Sequence, residues 1–248
     1  RRRMTDEGPK SPFDRVYASH VWGKQGGGSG PGSTKIATSK LSALLLHVTM
    51  TYRVQTFLDA ACGAMEWMPS ALEEIDDLRA IENIGGLPAL PPLNYTGADI
   101  VGSLIVRHKV QFESKNHWKF VHADMSSSDF PQLVGAHDLV LARDVFFHLT
   151  SDKVLQALRN IQRSGSKWLM ATHYSKLATN IDNATSHPRG MDLNHGGFRQ
   201  LNLNRAPYNL PPALWEAVEV DRTKRGTAKS VGKRMGFWRI GDLRLPPE

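Results

Sequence analysis

The chain of 248 residues lacks several features that define other classes of protein. It has a single cysteine, Cys62, which excludes an intrachain disulfide and favours a reducing compartment, the cytoplasm or the mitochondrial matrix. No apolar run reaches the roughly 18 residues that a membrane-spanning helix needs. No Cys/His cluster and no H-E-x-x-H pattern offers the spacing of metal ligands. We therefore expect an intracellular protein with no membrane span and no bound metal.

Acidic residues are fewer than basic ones, 24 against 31, which gives a net charge of +7. A positive charge of this size favours an acidic or nucleic-acid partner. The densest basic stretch, DRTKRGTAKSVGK at 221–233, has the composition of a loop. The stretch fits a solvated surface loop, and it equally fits a loop that contacts RNA phosphates.

The glycine-rich stretch WGKQGGGSGPGSTK at 22–35 resembles a flexible linker or a phosphate-binding loop. A phosphate-binding loop requires a lysine directly after its last glycine. Gly27 and Gly32 have the required spacing, but Ser33 stands in the lysine position. The phosphate-binding interpretation fails, so the stretch is either a linker or part of a site completed elsewhere in the chain.

Apolar runs that fit strands alternate with segments that fit helices. This alternation predicts βαβ units and a parallel sheet. Ser151 fits the N-cap of the last helix and Gly165 its end. The predicted strands are 54–60, 95–100, 118–125, 137–144 and 167–174, followed by two antiparallel strands at 216–220 and 235–240, and the predicted helices are 35–50, 66–84, 101–112 and 151–165.

An aspartate closes each of four predicted strands: Asp59, Asp99, Asp124 and Asp144. Ligands of parallel α/β sheets bind beyond the carboxyl ends of the strands. A carboxylate there can bind the two hydroxyls of a ribose, as Asp99 would, and Asp124 is suitably placed for an adenine amino group. A single aspartate of this kind also fits a helix cap or a tight turn. Four in succession indicate one crevice that holds a nucleoside.

Several motifs together resemble class I S-adenosylmethionine (SAM)-dependent methyltransferases, and within them a little-characterised bacterial branch. The motifs are WG with SGPGS (22–33), LDAACGAMEWM (58–68), ARDVFFHL (142–149) and GGFRQLNL (196–203). The resemblance implies an α/β, Rossmann-like fold with an N-terminal flap (1–34), a methyltransferase domain (35–248) and a substrate cap within it (174–215). The resemblance implies that the glycine-rich stretch is part of this flap, and the alternative is a disordered connector.

The resemblance also implies which residues bind ligands. Ala64 departs from the branch, where an acidic residue is usual, and this puts one polar contact in doubt. The cap segment would contribute substrate contacts from Arg199, His195 and Asn202, with a packed structural extension as the alternative. The cofactor SAM would be bound by Trp22, Gly30, Gly32, Asp59, Ala61, Gly63, Asp99, Ile100, Asp124, Met125 and Arg143.

Asp144 and His148 are the candidate catalytic residues, because one helical turn would bring them to the same side. A carboxylate beside an imidazole orients its tautomer and makes it a competent base near neutral pH. The alternative is that Asp144 caps a turn while His148 packs against Phe146 and Phe147. The sequence therefore predicts methyl transfer to an oxygen or nitrogen nucleophile of an unknown acceptor. The rival prediction is a catalytically silent subunit that serves a ribonucleoprotein assembly as a structural or RNA-binding part.

Overall fold

A computed structural model describes residues 11–81, 88–181, 193, 196–218 and 232–247. Within these residues, seven strands form one sheet in the order β3-β2-β1-β4-β5-β7-β6. The first five strands in sequence are parallel, and β7 is antiparallel to both β5 and β6. The strands are β1 (Thr56–Ala60), β2 (Asn94–Asp99), β3 (Trp118–His122), β4 (Leu139–Ala142), β5 (Trp168–Tyr174), β6 (Trp215–Val218) and β7 (Lys233–Arg239).

Six α-helices lie in the described part of the chain. Local sequence signals account for their starts. The Thr34 hydroxyl accepts from the N–H of Ala37 at 3.3 Å and caps α2, and Pro69 lies in the first turn of α3, where its missing N–H costs nothing. The helices are α1 (Pro12–Ala18), α2 (Lys35–Thr51), α3 (Met68–Ala80), α4 (Gly102–Gln111), α5 (Phe130–Val134) and α6 (Ser151–Arg163).

The sheet is covered on both faces, as expected for parallel strands. Successive residues of β1 face opposite sides: Phe57 belongs to the cluster that includes Leu45 of α2 and Ile75 of α3, and Leu58 to the cluster that includes Leu158 of α6. All five of these side chains are fully buried. Three layers with this strand order leave the carboxyl ends of β1 to β5 at one edge of the sheet.

The structure confirms the predicted strands and the antiparallel closing pair, with shorter bounds at most ends. The prediction that Ser151 is the N-cap of α6 was wrong. Thr150 holds that position, and Ser151 is the first helical residue. Its hydroxyl lies 3.1 Å from the Tyr208 hydroxyl, because the segment that contains Tyr208 packs against the start of α6.

Within the irregular segment after β5, residues 201–210 pack into the core. Leu201, Leu203, Tyr208 and Leu210 are all buried beneath the sheet's α6 side. The N–H of Tyr174, the last residue of β5, donates to the carbonyl of Leu201 at 2.8 Å. This segment is therefore attached to the sheet where β5 ends.

Two further findings bear on the predictions from composition. No helix in the described ranges combines the length and apolar character that crossing a membrane requires. Among the same residues, no three His, Cys, Asp or Glu side chains come together as a potential metal site. Residues 1–10 and almost all of the basic loop, except Gly232 and Lys233, lie outside the described residues.

Candidate active site

A cavity of about 790 Å³ lies at the carboxyl ends of β1 to β5. Its walls come from the strand exits, from the N-terminal segment 12–33 and from residues after β5. All eleven predicted cofactor residues line it, and so do both predicted catalytic residues. The sequence signals that seemed separate along the chain therefore meet around one space.

The turn after β1 is fixed by hydrogen bonds to β2 and α4. The Gly63 N–H donates to Asp99 Oδ2 at 2.8 Å, and the Gly63 carbonyl lies 2.7 Å from His108 Nε2. Burial lowers the pKa of His108, so its neutral ring donates from Nε2 to this carbonyl. Ala61 has a φ of 74°, in the left-handed region that a residue with a side chain rarely adopts. The turn is held open toward the cavity by these contacts.

Asp99, at the end of β2, is a buried carboxylate that holds two backbone N–H groups. Oδ2 accepts from Gly63, and Oδ1 accepts from Val101 at 2.9 Å. Burial raises the pKa of Asp99, and the two N–H groups act in the opposite direction. Each carboxylate oxygen has a second lone pair, so Asp99 can accept two further hydrogen bonds from a ligand in the cavity.

Asp59, at the end of β1, faces the same cavity from the neighbouring strand. Its Oδ2 accepts from the Tyr95 hydroxyl at 3.1 Å. Burial raises the pKa of Asp59 to about 7, and the Asp99 carboxylate adds to this rise. A cationic ligand placed here would favour the charged form of Asp59.

The third strand-end acid, Asp124, lies two residues beyond β3. Its Oδ1 accepts from both the N–H and the hydroxyl of Ser126, at 2.8 and 2.7 Å. Ile100 and Met125 line the cavity beside it and offer apolar surface. Together these residues form a pocket suited to a flat ring with a polar edge.

The glycine-rich segment is folded against the β1 turn. Ser29 Oγ accepts from the Ala64 N–H at 3.0 Å and lies 2.8 Å from the Tyr17 hydroxyl. Gly27 has a φ of 64°, and a Cβ there would lie 2.7 Å from the Cβ of Ala64. The small residue at position 64, the departure from the branch, therefore lies in close contact with the glycine-rich segment.

Gly63→Ala is expected to destabilise the protein, because the added methyl group has no room. Its Cβ would lie 2.8 Å from Ser29 Oγ and 3.0 Å from the Tyr17 hydroxyl, and the φ of 58° disfavours a side chain. We expect the free energy of unfolding to fall by about 1–3 kcal/mol. Urea denaturation of this variant beside Gly241→Ala, whose Cβ would meet nothing within 4 Å, provides the measurement. Equal stabilities of the two variants would contradict the tight fit.

Asp144 is held by two cations beyond the end of β4. Lys233 Nζ lies 2.8 Å from Oδ1, and Arg143 Nη2 lies 3.3 Å from Oδ2. Burial raises the pKa of Asp144, but Arg143 and Lys233 more than offset this effect and lower it to about 2. Asp144 is therefore ionised near neutral pH and is a weak base. The second donation of Arg143 Nη2, to the Gly32 carbonyl at 2.9 Å, ties this cluster to the glycine-rich segment.

His148 has different neighbours from Asp144. It ends the short 3₁₀ turn Phe146–His148, and its Nδ1 lies 2.6 Å from the carbonyl of Gly197. A carbonyl only accepts, so Nδ1 carries a proton, and in the neutral ring the lone pair is on Nε2. The ring packs on Trp22 with centroids 4.7 Å apart, and Trp22 Nε1 donates to the Gly196 carbonyl at 2.9 Å. The N-terminal segment, His148 and residues 196–197 therefore form one wall of the cavity.

The three predicted substrate residues have different positions. Arg199 lines the cavity, but it is buried and donates to the Leu149 carbonyl at 2.9 Å and to the Tyr208 hydroxyl at 2.8 Å. Asn202 is buried below the cavity wall, where its side chain donates to the carbonyls of Ser175 and Leu177. His195 lies outside the described residues.

Sequence reasoning missed two groups that shape the site. Tyr17 belongs to α1, and the spacing of Ser11 and Asp14 could have predicted the start of that helix, because the two residues form a capping box. Lys233 had no such signal. It reaches Asp144 because β7 pairs with β5 and brings Lys233 opposite Tyr174.

A comparison with sequence models of protein families finds a match in the middle of this chain. A sequence model for a family described as "Methyltransferase domain" matches residues 83–167, the part of the chain that contains β2 to α6. Among curated proteins, no sequence matches this chain.

Solved structures show the same fold at low sequence identity. The N-methyltransferase NodS from Bradyrhizobium japonicum WM9, in complex with S-adenosyl-L-homocysteine (SAH), superposes with a TM-score of 0.55 at 11% identity, over 90% of this chain and 97% of that one. The N-terminal domain of EvdMO1, in the presence of SAH and D-fucose, gives 0.52 at 13% identity over 82% of each chain. An O-methyltransferase family protein from Burkholderia thailandensis gives 0.52 at 12% identity, over 88% of this chain and 59% of that one.

The chain has the Rossmann-like fold of class I methyltransferases. This fold and the match to the methyltransferase-domain model together support a methyltransferase. Membership of the narrower branch indicated by the motifs stays a prediction.

Proposed function

We propose that this chain transfers a methyl group from SAM to an oxygen or nitrogen nucleophile of a small acceptor. The observation that carries the proposal is the meeting of Asp59, Asp99 and Asp124 in one cavity, each from a different parallel strand. Three carboxylates along one edge suit a ligand that presents hydroxyl, amino and cationic groups in a row, as SAM does.

The cavity fits such a ligand in size and in chemistry. Its volume of about 790 Å³ lies within the range of about 300–1,000 Å³ that is usual for small-molecule sites. In the proposed arrangement Asp99 accepts from the ribose hydroxyls, and Asp124 accepts from the adenine amino group. Ile100 and Met125 pack against the adenine ring, and Arg143 binds the carboxylate of the methionine part.

The residues of the chain supply alignment and proton removal. SAM, when bound, supplies a methyl group already activated by a sulfonium. The protein then has to hold the nucleophile in line and to exclude water. His148 is the proposed proton acceptor, because the Gly197 carbonyl fixes its tautomer with the lone pair on Nε2. Asp144, with its pKa of about 2, is proposed to position Lys233 and Arg143 rather than to take the proton.

Methyl transfer in an extract of the cell that produces the protein is a test that does not require the acceptor to be known. The full chain is incubated with methyl-labelled SAM and fractions of that extract, and mass spectrometry locates the label. We expect one class of acceptor to gain the label and SAH to accumulate in step. Binding of SAM without any label transfer would favour the rival prediction of a silent, methyltransferase-like subunit.

Residues 12–33 are proposed to act as a flap over the cofactor, and Trp22→Ala tests this role. The variant loses the bond to the Gly196 carbonyl and the packing on His148. We expect SAH affinity to fall by about 3- to 10-fold, the size of one hydrogen bond. Calorimetry with Trp215→Ala, on β6 and outside the cavity, is the matched control. An unchanged affinity of Trp22→Ala for SAH would indicate that residues 12–33 do not cover the cofactor and only connect other segments.

The substrate segment stays a proposal as well. Residues 196–199 form part of the cavity wall, and we propose that they contact the acceptor together with His195. Arg199 and Asn202 would act there by fixing the segment's backbone, given their buried donations to carbonyl groups. The RNA partner suggested by the basic loop rests on the sequence alone, because residues 221–231 lie outside the described part of the chain.

A further inference from the structure

Five aromatic rings that contact one another form a continuous stretch of the cavity wall. We call this wall the aromatic belt; it consists of Trp22, Phe147, His148, Tyr174 and Phe198, all of which line the cavity. The rings come from four separate segments: the glycine-rich segment, the turn after β4, the end of β5 and the segment that follows β5. Nothing in the local sequence requires these segments to carry aromatic residues at this point.

The rings touch one another in sequence around the wall. Ring centroids lie 4.7 Å apart for Trp22 and His148, 4.8 Å for His148 and Phe147, and 4.7 Å for Phe147 and Phe198. Phe198 and Tyr174 follow at 6.1 Å. The last three pairs are edge-on, and Trp22 and His148 are tilted by 33°. A cluster of rings along a cavity wall favours a flat aromatic guest over a saturated one.

The charges beside the belt select between kinds of guest. Aromatic cages also bind organic cations, but only where neighbouring charge permits. Here Lys233 lies opposite Tyr174 in the β5–β7 pairing, Arg143 lies beside Asp144, and exposed Lys153 lines the cavity. In this cluster two cations flank one carboxylate, and the local positive charge disfavours a cationic acceptor and favours one that develops negative charge.

From these observations we propose that the aromatic belt binds a small planar aromatic acceptor that carries a hydroxyl group, a phenol, for O-methylation. This inference rests on the proposed methyltransferase function and specifies its substrate class. In the reaction the phenol oxygen attacks the methyl carbon: the C–O bond forms, the C–S bond of SAM breaks, and the phenolic proton passes to His148 Nε2. The products are an aryl methyl ether and SAH, and no oxidant or reductant is required.

The test compares a planar with a saturated probe on the full chain saturated with SAH. Calorimetric titration with 2-naphthol and with decahydro-2-naphthol, which has the same ring skeleton and hydroxyl, isolates the aromatic contribution. Each aromatic contact contributes a factor of about 2 to 10, so we expect 2-naphthol to bind about tenfold more tightly or better. With SAM in place of SAH, mass spectrometry is expected to detect 2-methoxynaphthalene.

Two variants test whether the preference for 2-naphthol comes from the aromatic belt. Phe198→Leu keeps apolar bulk but removes one ring, and we expect it to weaken 2-naphthol binding by about 2- to 10-fold without changing SAH affinity. Phe112→Leu is the matched control, because Phe112 stacks on Phe120 outside the cavity. Thermal denaturation verifies that both variants fold. If Phe198→Leu does not fold, the comparison of the two probes on the unaltered chain still decides.

The outcomes distinguish a failure of the proposed function from a failure of the phenol inference alone. Failure of the chain to bind SAH overturns the proposed function and the phenol inference with it. Binding of SAH together with equal or undetectable affinity for the two naphthol probes overturns the phenol inference alone. Equal effects of Phe198→Leu and Phe112→Leu on 2-naphthol binding also overturn it, because the preference would then not come from the belt.

Discussion

His148→Ala is expected to bind SAH as the unaltered chain does and to lose methyl transfer by about 10²- to 10⁴-fold. The reason is the position of the ring: Nδ1 donates to the Gly197 carbonyl at 2.6 Å, so the lone pair resides on Nε2 in the wall of the cavity. Release of SAH from SAM, measured with an acceptor fraction from the native extract or with 2-naphthol, gives the rate. His47→Ala, an exposed histidine on α2, is the control.

The comparison with Asp144→Asn distinguishes proton transfer from positioning. Because the pKa of Asp144 lies at about 2, its carboxylate is charged throughout the working pH range and contributes no titration near neutrality. A depressed pKa stabilises the fold above the unfolded value near 3.9, and this stability is lost as the pH falls toward about 2. Asp144→Asn should lose turnover, because Lys233 and Arg143 lose their charged partner, and it should unfold less steeply with acid. Full methyl transfer by both His148→Ala and Asp144→Asn would make the pair structural.

Asp99→Ala is expected to reduce SAH affinity by about 10- to 150-fold, equivalent to about 1.5–3 kcal/mol for a lost partner of a buried polar group. Asp99 would accept from the ribose, and it also holds the N–H groups of Gly63 and Val101, which shape the turn beneath the cofactor. The variant therefore loses a ligand contact and a support of the turn. Calorimetry with SAH measures the affinity, and urea denaturation measures the accompanying loss of stability.

Asp138→Ala is a close control for Asp99→Ala. Asp138 Oδ2 also accepts from two backbone N–H groups, those of Gln55 and Thr56 at 2.8 and 3.1 Å, but at the opposite end of β4 from the cavity. We expect Asp138→Ala to lose stability and to keep its SAH affinity. Equal SAH affinities in Asp99→Ala and the unaltered chain would remove Asp99 from the cofactor site.

The features that sequence reasoning found are those with short-range signals. An apolar run that ends in aspartate predicts both a strand and its carboxyl end, which is why Asp59 and Asp99 could be placed in one crevice before the fold was known. The helices predicted at 66–84 and 151–165 were found from the same kind of local signal, and both form with shorter bounds as α3 and α6.

The features it missed depend on contacts between distant segments. The residues after β5 carry no strand or helix period, so the burial of Leu201 and Tyr208 could not be predicted from their pattern. Lys233 reaches Asp144 only through the antiparallel pairing of β7 with β5. The aromatic belt, likewise, exists only because four segments converge. The strand ends that line the cavity were thus predictable, whereas the aromatic belt and Lys233 were not.

The position of SAH in a crystal structure of the full chain grown with this ligand tests the central claim most directly. The account predicts density in the cavity at the carboxyl ends of β1 to β5, with the ribose hydroxyls within hydrogen-bond distance of Asp99, the adenine near Asp124, and the sulfur facing the aromatic belt. Density for SAH outside this cavity, or none at a saturating concentration of SAH, would contradict it.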